Sequence, residues 1–282
     1  MSRSLNVRVG SLPLWLDWKR LLGPGSWEVI ETADGTLEAR AALQRNAAAD
    51  LAARLRGVGI GGAMLSLSVT PSLLRKDLRK ALTEEARRYR KSTKGFTRNS
   101  TRVDAEGRYS LTPEVLAYEL GKRAQSRRVV DACAGAGGNA IGFARAGCEV
   151  IAIELDPGRL AMARHNAKVY GVEERIRFIV GDACEIIPEL KADLLFVDPP
   201  WGEKYNKERV TLNDLKPCEE ILALADHLHG VWIKTPPSFD PKTLPGFQPE
   251  AVFGRASGDE RRVKFLLLKK AAGFAWIGRS SR

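Results

Sequence analysis

Between Val129 and Gly202 the chain repeats one device four times: a short apolar run closes on an acidic residue, and helix-like sequence follows. Val129-Val130 leads to Asp131, and Val150-Ile151-Ala152-Ile153 leads to Glu154. Phe178-Ile179-Val180-Gly181 leads to Asp182, and Leu194-Leu195-Phe196-Val197 leads to Asp198. Uninterrupted apolar strands separated by helices predict a parallel sheet covered on both faces, with ligand groups at the carboxyl ends of its strands. The expected architecture is α/β, with a doubly wound sheet over residues 103–282. A smaller basic α+β domain over 1–102 is expected to precede it.

The strand ends suggest a ligand class. Gly135, Gly137 and Gly138 let the backbone turn tightly after the first strand and approach a ligand with no Cβ in the way. Their Gly-x-Gly-Gly spacing is not the dinucleotide fingerprint Gly-x-Gly-x-x-Gly, and no basic residue between Asp131 and Phe143 offers a polyphosphate a counter-charge. Glu154 stands where a carboxylate accepts both hydroxyls of a ribose, and Asp182 where one reaches an adenine amino group. A nucleoside with a compact charged tail fits these positions better than a dinucleotide. The glycine turn and acidic strand ends alone would also suit a generic α/β fold.

Asp198-Pro199-Pro200-Trp201 separates the two readings. Proline removes backbone donors and fixes the turn, leaving carbonyl acceptors beside a carboxylate and an indole. An exocyclic NH2 on a planar base needs two acceptors and a flat surface, and this tetrapeptide supplies both.

Together these segments resemble the class I S-adenosylmethionine-dependent methyltransferases, in particular the amino-methylating branch with Asp/Asn/Ser-Pro-Pro-aromatic. Asp131-x-Cys133-x-Gly135-x-Gly137-Gly138-Asn139, Glu154-Leu155-Asp156-Pro157 and Pro199-Pro200-Trp201-Gly202 are similar to the trimethylguanosine synthase family, which methylates guanine N2 in RNA caps. Ala163 to Gly171 matches the family's helix after the second strand, and the likeness covers Val103 to Asn206. Two positions depart from it: cap-methylating members tend to carry serine where Asp198 stands, and a proline-arginine turn where this chain has Lys234-Thr235-Pro236-Pro237.

The resemblance implies S-adenosylmethionine as cofactor, held by Thr112, Asp131, Gly135, Gly137, Asn139, Glu154, Leu155, Asp182 and Ala183. It implies catalysis at Asp198, Pro199, Pro200 and Trp201, with no metal. The segment from Val103 to Glu114 is expected to close the cofactor pocket. Thr112 is placed to cap a helix starting at Pro113, and its hydroxyl to meet the methionine carboxylate.

Composition narrows the partners. The net charge is +11 in 282 residues, and a surplus of that size favours a polyanion when it is clustered. It is clustered: Pro71 to Arg102 holds eleven basic and three acidic residues. Pro71 to about Lys91 reads as a helix with Leu74, Leu78, Leu82 and Tyr89 near one face and Lys76, Lys80, Arg87 and Lys91 on another. Lys94 to Arg102 then interleaves basic, aromatic, glycine and hydroxyl residues, which suits contact with a phosphate backbone. Arg87, Lys91, Lys94 and Arg98 are the expected RNA contacts; a solvated helix face is the plainer alternative. The partner is expected to be RNA (tRNA, rRNA or capped RNA), and nothing in the sequence sets the oligomeric state.

Cys133, Cys148, Cys184 and Cys218 are far apart and form no Cys-x-x-Cys pair, and His165, His227 and His229 share no ligand spacing. No apolar run is long enough for a signal peptide or a membrane span, so a cytoplasmic protein is expected.

Elsewhere, Trp15, Trp18 and Trp27 are expected in the core of the small domain. Trp27 to Glu31 reads as a strand entering a turn, Leu37 to Leu55 as one alanine-rich helix ended by Gly57, and Ala63 to Thr70 as a half-buried strand. Gly202 to Lys207 is expected as a loop over the site and Cys218 to Leu228 as a helix. Val231 to Lys234 is expected as the fifth strand, and the resemblance implies a seven-stranded, doubly wound, Rossmann-like sheet in which Ala251–Gly254 and Val263–Leu268 form the final antiparallel pair.

The expected function is methyl transfer to an exocyclic amine of RNA, guanine N2 first. The alternatives are adenine N6, a protein amide, and a non-catalytic RNA-binding subunit of a methyltransferase complex.

Overall fold

The computed structural model describes residues 4–105, 107–125, 127–202 and 205–271. The chain opens with β1 (Leu5–Pro13), α1 (Trp18–Leu22), β2 (Glu28–Glu31), β3 (Thr36–Leu43), α2 (Arg45–Leu55), β4 (Gly59–Ile60), β5 (Ala63–Met64), β6 (Ser66–Thr70) and α3 (Arg75–Tyr89). Four of these strands form an antiparallel sheet in the order β2-β3-β1-β6. Its centre is β1, where buried Leu5, Val7 and Val9 alternate with exposed Asn6 and Arg8. That two-residue period puts one face against Leu51 and Leu55 of α2, with Trp15, Trp18 and Trp27 packed around the same core.

Several details differ from the sequence-based expectations, among them the single strand expected over Ala63–Thr70, which divides into β5 and β6 in different sheets. First, β1, the centre of the small sheet, was assigned no element. Second, Leu37 to Leu55 is not one helix: β3 pairs with β2 on one edge and β1 on the other, and the helix begins only at Arg45. Leu37, Ala39, Ala41 and Leu43 fall on one face of a strand, and hydrogen bonding along both edges outweighs the modest helix preference of alanine. Third, α3 starts at Arg75 rather than Pro71. Its inward face is Ala81 and Glu85, with Leu78 and Leu82 half-buried, while Leu74 and Tyr89 are exposed. Glu85 is buried there because Arg262 donates to it from Nε (3.0 Å).

The second sheet contains β7 (Arg128–Asp131), β8 (Glu149–Glu154), β9 (Ile176–Val180), β10 (Leu194–Val197), β11 (Gly230–Thr235), β12 (Gln248–Phe253) and β13 (Val263–Ala271). Helices α4 (Gly107–Ser110), α5 (Glu114–Ala124), α6 (Gly138–Arg145), α7 (Pro157–Tyr170), α8 (Ala183–Ile186) and α9 (Cys218–Ala223) accompany it. Its seven strands run β12-β13-β11-β10-β7-β8-β9, parallel except at β13, which is antiparallel to β11 and β12. The sheet is covered on both sides: Leu194 and Phe196 face one core, Leu195 and Val197 the other. This accounts for the unbroken apolar runs in the sequence. The predicted fifth strand and final pair are present; the helix expected over Cys218–Leu228 ends at Ala223.

The topology fixes where a ligand goes. From β7 the chain winds outward to β8 and β9, then returns to β10 on the other side of β7. Strand order therefore reverses between β7 and β10, and such a reversal opens a crevice at the carboxyl ends of the strands.

The basic stretch joining the two sheets lies along the second one. The Thr93 amide and hydroxyl donate to Asp259, and the Thr97 hydroxyl donates to Glu114 (2.6 Å). The Arg102 amide donates to Asn166 Oδ1 (2.7 Å), and Asn166 Nδ2 returns bonds to the carbonyls of Arg102 and Ala136. Among the described residues no helix is long and apolar enough to cross a membrane.

Candidate active site

At the carboxyl end of β7 the chain makes the glycine turn. Gly135 (φ +51°) and Gly137 (φ +88°) lie in the left-handed region, and a Cβ at Gly137 would approach the Ala163 Cβ to 3.0 Å. Helix α6 starts immediately after, at Gly138. The turn borders a cavity of about 430 Å³, a volume suited to a small ligand.

One side of the cavity consists of Gly135, Asn139, Glu154, Leu155, Asp182 and Ala183. Glu154 is held by the Gly135 amide on Oε2 (2.8 Å) and the Asp156 amide on Oε1 (3.0 Å). Beside it Leu155 is 70% exposed, an apolar surface at the crevice. Asp156 caps α7 by accepting the Gly158 and Arg159 amides, so Glu154-Leu155-Asp156-Pro157 is both a strand end and a helix start. Asp182 caps α8 through Cys184.

Asp131 and Gly137 are not part of the cavity wall. Asp131 is fully buried, and the Ala140 backbone N–H favours its charged form without meeting hydrogen-bond geometry. Burial, reinforced by the charge of Asp198, pushes its pKa up to about 8. Asn139 Oδ1 is likewise buried without a partner. Asn139 does line the cavity, so its orphaned Oδ1 is an acceptor that an ammonium group there would satisfy. With Glu154 for a diol, Asp182 for an amine and Leu155 for a ring face, the residues fit a nucleoside bearing an amino-acid tail.

The opposite wall is Thr112, Asp198, Pro199, Pro200 and Trp201. Asp198 follows β10, and its Oδ2 accepts from Lys234 Nζ (2.7 Å), Asn139 Nδ2 (2.9 Å) and Thr112 Oγ1 (3.5 Å). Among the described residues no hydrogen bond engages Oδ1. Trp201 is half-buried, packs edge-on against Tyr205 (5.7 Å between centroids), and has Lys234 Nζ 4.9 Å from its ring centroid. Of the loop expected over the site, Glu203 and Lys204 lie outside the described residues.

Thr112 does not cap a helix. Helix α5 starts at Glu114, with Pro113 at the capping position and no side-chain cap, and the Thr112 hydroxyl turns to Asp198 instead. The residue that sequence reasoning missed is Lys234, whose side chain is only 3% exposed. Besides Asp198 it donates to the Ser110 carbonyl (3.0 Å). The available signal was one cation closing the otherwise apolar run Val231-Trp232-Ile233.

The four expected RNA contacts differ in their surroundings. Arg87, Lys91, Lys94 and Arg98 are all exposed. Arg98 stacks its guanidinium over Tyr170 (4.7 Å) and donates to the Val169 carbonyl (2.8 Å), so its head group is engaged within the fold. Among the described residues no group of His, Cys, Asp and Glu has metal-site geometry.

Residues 126–228 match the family model described as RNA cap guanine-N2 methyltransferase. The trimethylguanosine synthase of Schizosaccharomyces pombe is 40% identical over 127 residues, 41% of this chain and 53% of the relative. The ribosomal RNA small subunit methyltransferase J of Hydrogenovibrio crunogenus is 32% identical over 151 residues, 45% of this chain and 54% of the relative. The matches thus span about half the length of these curated relatives. A Salinibacter ruber RNA methyltransferase, solved with S-adenosyl-L-homocysteine, superposes with a TM-score of 0.43 at 20% identity, over 60% of this chain and 99% of that one. The matched segment contains the glycine turn, Glu154 and the Asp198-Pro199-Pro200-Trp201 turn, and through that segment the chain resembles the RNA cap guanine-N2 methyltransferase family.

Proposed function

We propose that this protein transfers a methyl group from S-adenosylmethionine to an exocyclic amine of a purine in RNA, guanine N2 being the first choice. One observation carries the reading: a carboxylate anchored through one oxygen, with its other oxygen uncommitted, stands at the wall of a nucleoside-sized cavity and is followed directly by Pro-Pro-Trp.

The cofactor supplies a methyl group already activated on a sulfonium, so the protein's part is positioning and exclusion of water. Glu154, Asp182 and Leu155 would hold the nucleoside end, and Asn139 Oδ1 would receive the ammonium end. Asp198 Oδ1 and the Pro199 carbonyl accept the two amine hydrogens, which directs the nitrogen lone pair into the crevice. Trp201 supplies a ring face for the base. When bound, the sulfonium would give up its methyl group to the amine nitrogen and leave as the neutral thioether, and Asp198 or water would take the amine proton. No strong base is required.

Residues 1–102 are proposed as an accessory RNA-binding unit and 103–282 as the methyltransferase unit, with the protein acting in the cytoplasm. Arg87, Lys91 and Lys94 are the proposed phosphate contacts of the first unit. Replacing these three by Ser should flatten the salt dependence of RNA binding while S-adenosylhomocysteine affinity stays constant. An unchanged slope in a filter-binding titration would return α3 to a solvated face.

The test of the reaction is nucleoside mass spectrometry of total RNA treated with the protein and a deuterated methyl donor. N2-methylguanosine carrying the label is the expected product. Labelled N6-methyladenosine would move the assignment to adenine, and no labelled nucleoside would point to a protein amide or a non-catalytic role.

A further inference from the structure

Lys234 stands beneath the acceptor side of the cavity. It closes β11, the strand beside β10, and its ammonium is almost fully withdrawn from water. Three groups surround that ammonium: Asp198 Oδ2 at 2.7 Å, the Ser110 carbonyl at 3.0 Å, and the Trp201 ring with its centroid at 4.9 Å. The Phe265 ring lies further off, at 5.7 Å. Each of the first three contacts belongs to a different part of the cavity wall, since Ser110, Asp198 and Trp201 all line it.

Two electrostatic consequences follow. The ammonium balances the one carboxylate at the acceptor position, so the pair presents no net negative charge to an incoming base. Asp131, the next carboxyl behind the wall, adds little negative charge of its own at neutral pH, because burial favours its protonated form. The attraction of the Trp201 ring for a cation is also already engaged by Lys234. A cationic base stacked on this indole would find no net negative charge to offset its desolvation, and would share the ring with a cation already held against it. A neutral base meets no such opposition and can use the free Asp198 Oδ1 as an acceptor.

We propose that Lys234 is the positioning and specificity-determining residue of the acceptor site: it fixes Asp198 through Oδ2 and makes the pocket select a neutral purine, as in an internal or uncapped nucleotide, over a cationic N7-methylated guanine. The inference rests on the methyltransferase reading above, and it deepens that reading by naming the charge state of the base.

The test uses the full chain saturated with S-adenosylhomocysteine and two probes, guanosine 5′-diphosphate and its N7-methylated cation, titrated by calorimetry. Wild-type protein is expected to bind the neutral probe more tightly. Lys234→Met should shift the affinity ratio toward the cationic probe by about tenfold, the size of one cation–π contact regained at a partly desolvated ring. Lys234→Arg, which keeps the charge, should keep the wild-type preference. S-adenosylhomocysteine binding checks that each variant is folded, and Lys234→Met combined with Asp198→Asn avoids leaving a buried carboxylate alone if the single variant fails to fold. The ratio is a readout that a merely structural role would not move. A wild-type preference for the cationic probe, or the same ratio in wild type and both Met variants, would overturn the proposal while leaving amine methylation standing. Binding of S-adenosylhomocysteine with neither guanine probe would instead remove the guanine reading, and this inference with it.

Discussion

The two halves of the cavity are built in different ways. On the cofactor side each carboxylate is held by backbone amides a few residues away in space or sequence: Glu154 by Gly135 and Asp156, Asp182 by Cys184. On the acceptor side, Asp198 is held by side chains from three distant segments, Thr112, Asn139 and Lys234. The first half is a set of local strand-end motifs. The second is a tertiary assembly that exists only once α5, α6, β10 and β11 have packed together. A lesion in the first should therefore stay local, whereas a lesion in the second should reach the fold.

The largest expected effect follows directly. Asp198→Ala leaves the Lys234 ammonium buried without its partner, and breaking such a pair from one side typically costs about 3–5 kcal/mol of stability. Glu154→Ala should barely move the stability. Its effect should be on S-adenosylhomocysteine affinity, weakened by about 1.5–3 kcal/mol, the range for hydrogen bonds to a charged group. Urea unfolding of both variants, alongside calorimetry of the ligand, checks the contrast. Equal destabilisation by the two substitutions would erase the distinction between the halves.

A smaller effect concerns Asp131, which lies behind the junction of the two halves. Its folded-state pKa of about 8 is above the ordinary carboxyl value of 3.8, so the native state binds more protons than the unfolded state between those values. Its contribution is therefore fully present at low pH and is lost as pH rises toward and through 8. The slope cannot exceed about 1.4 kcal/mol per pH unit for one group. Asp131→Asn, which stays neutral, should remove this slope from the ligand-free protein. Thermal unfolding from pH 6 to 9 reads it directly: the variant should gain on wild type as pH rises, and parallel curves would deny the shift.

The same contrast governs how much the sequence revealed. The large sheet was legible because strands buried on both faces must be continuously apolar, and the carboxylates that close them stand out. The strand-end residues Glu154, Leu155 and Asp182, which the structure brings to one cavity, stood out for the same reason. The acceptor turn was visible as Asp198-Pro199-Pro200-Trp201, but not its support. Nothing near Asp198 in sequence announces that Thr112 lies 3.5 Å from it or that Lys234 neutralises it.

In the small sheet, alanines in Leu37–Leu43 suit a helix or a strand by composition, and pairing with β1 and β2 decided for the strand. In the linking stretch, Phe96 and Arg98 read as groups available for RNA. Tyr170 packs against both, with its ring centroid 5.6 Å from that of Phe96 and 4.7 Å from the guanidinium of Arg98, which stays exposed. Composition alone does not show which face of a basic segment the fold will use.

The central claim is that Asp198 serves the acceptor amine and not the cofactor. Asp198→Asn tests it most directly, because the amide nearly preserves shape while replacing the carboxylate at the acceptor position. S-adenosylhomocysteine affinity should stay within about twofold of wild type. Single-turnover methyl transfer to RNA should fall by at least about 100-fold, the scale expected when a reacting group loses its alignment. Wild-type transfer rates in Asp198→Asn, or a loss of cofactor binding that accounts for the whole defect, would contradict the account.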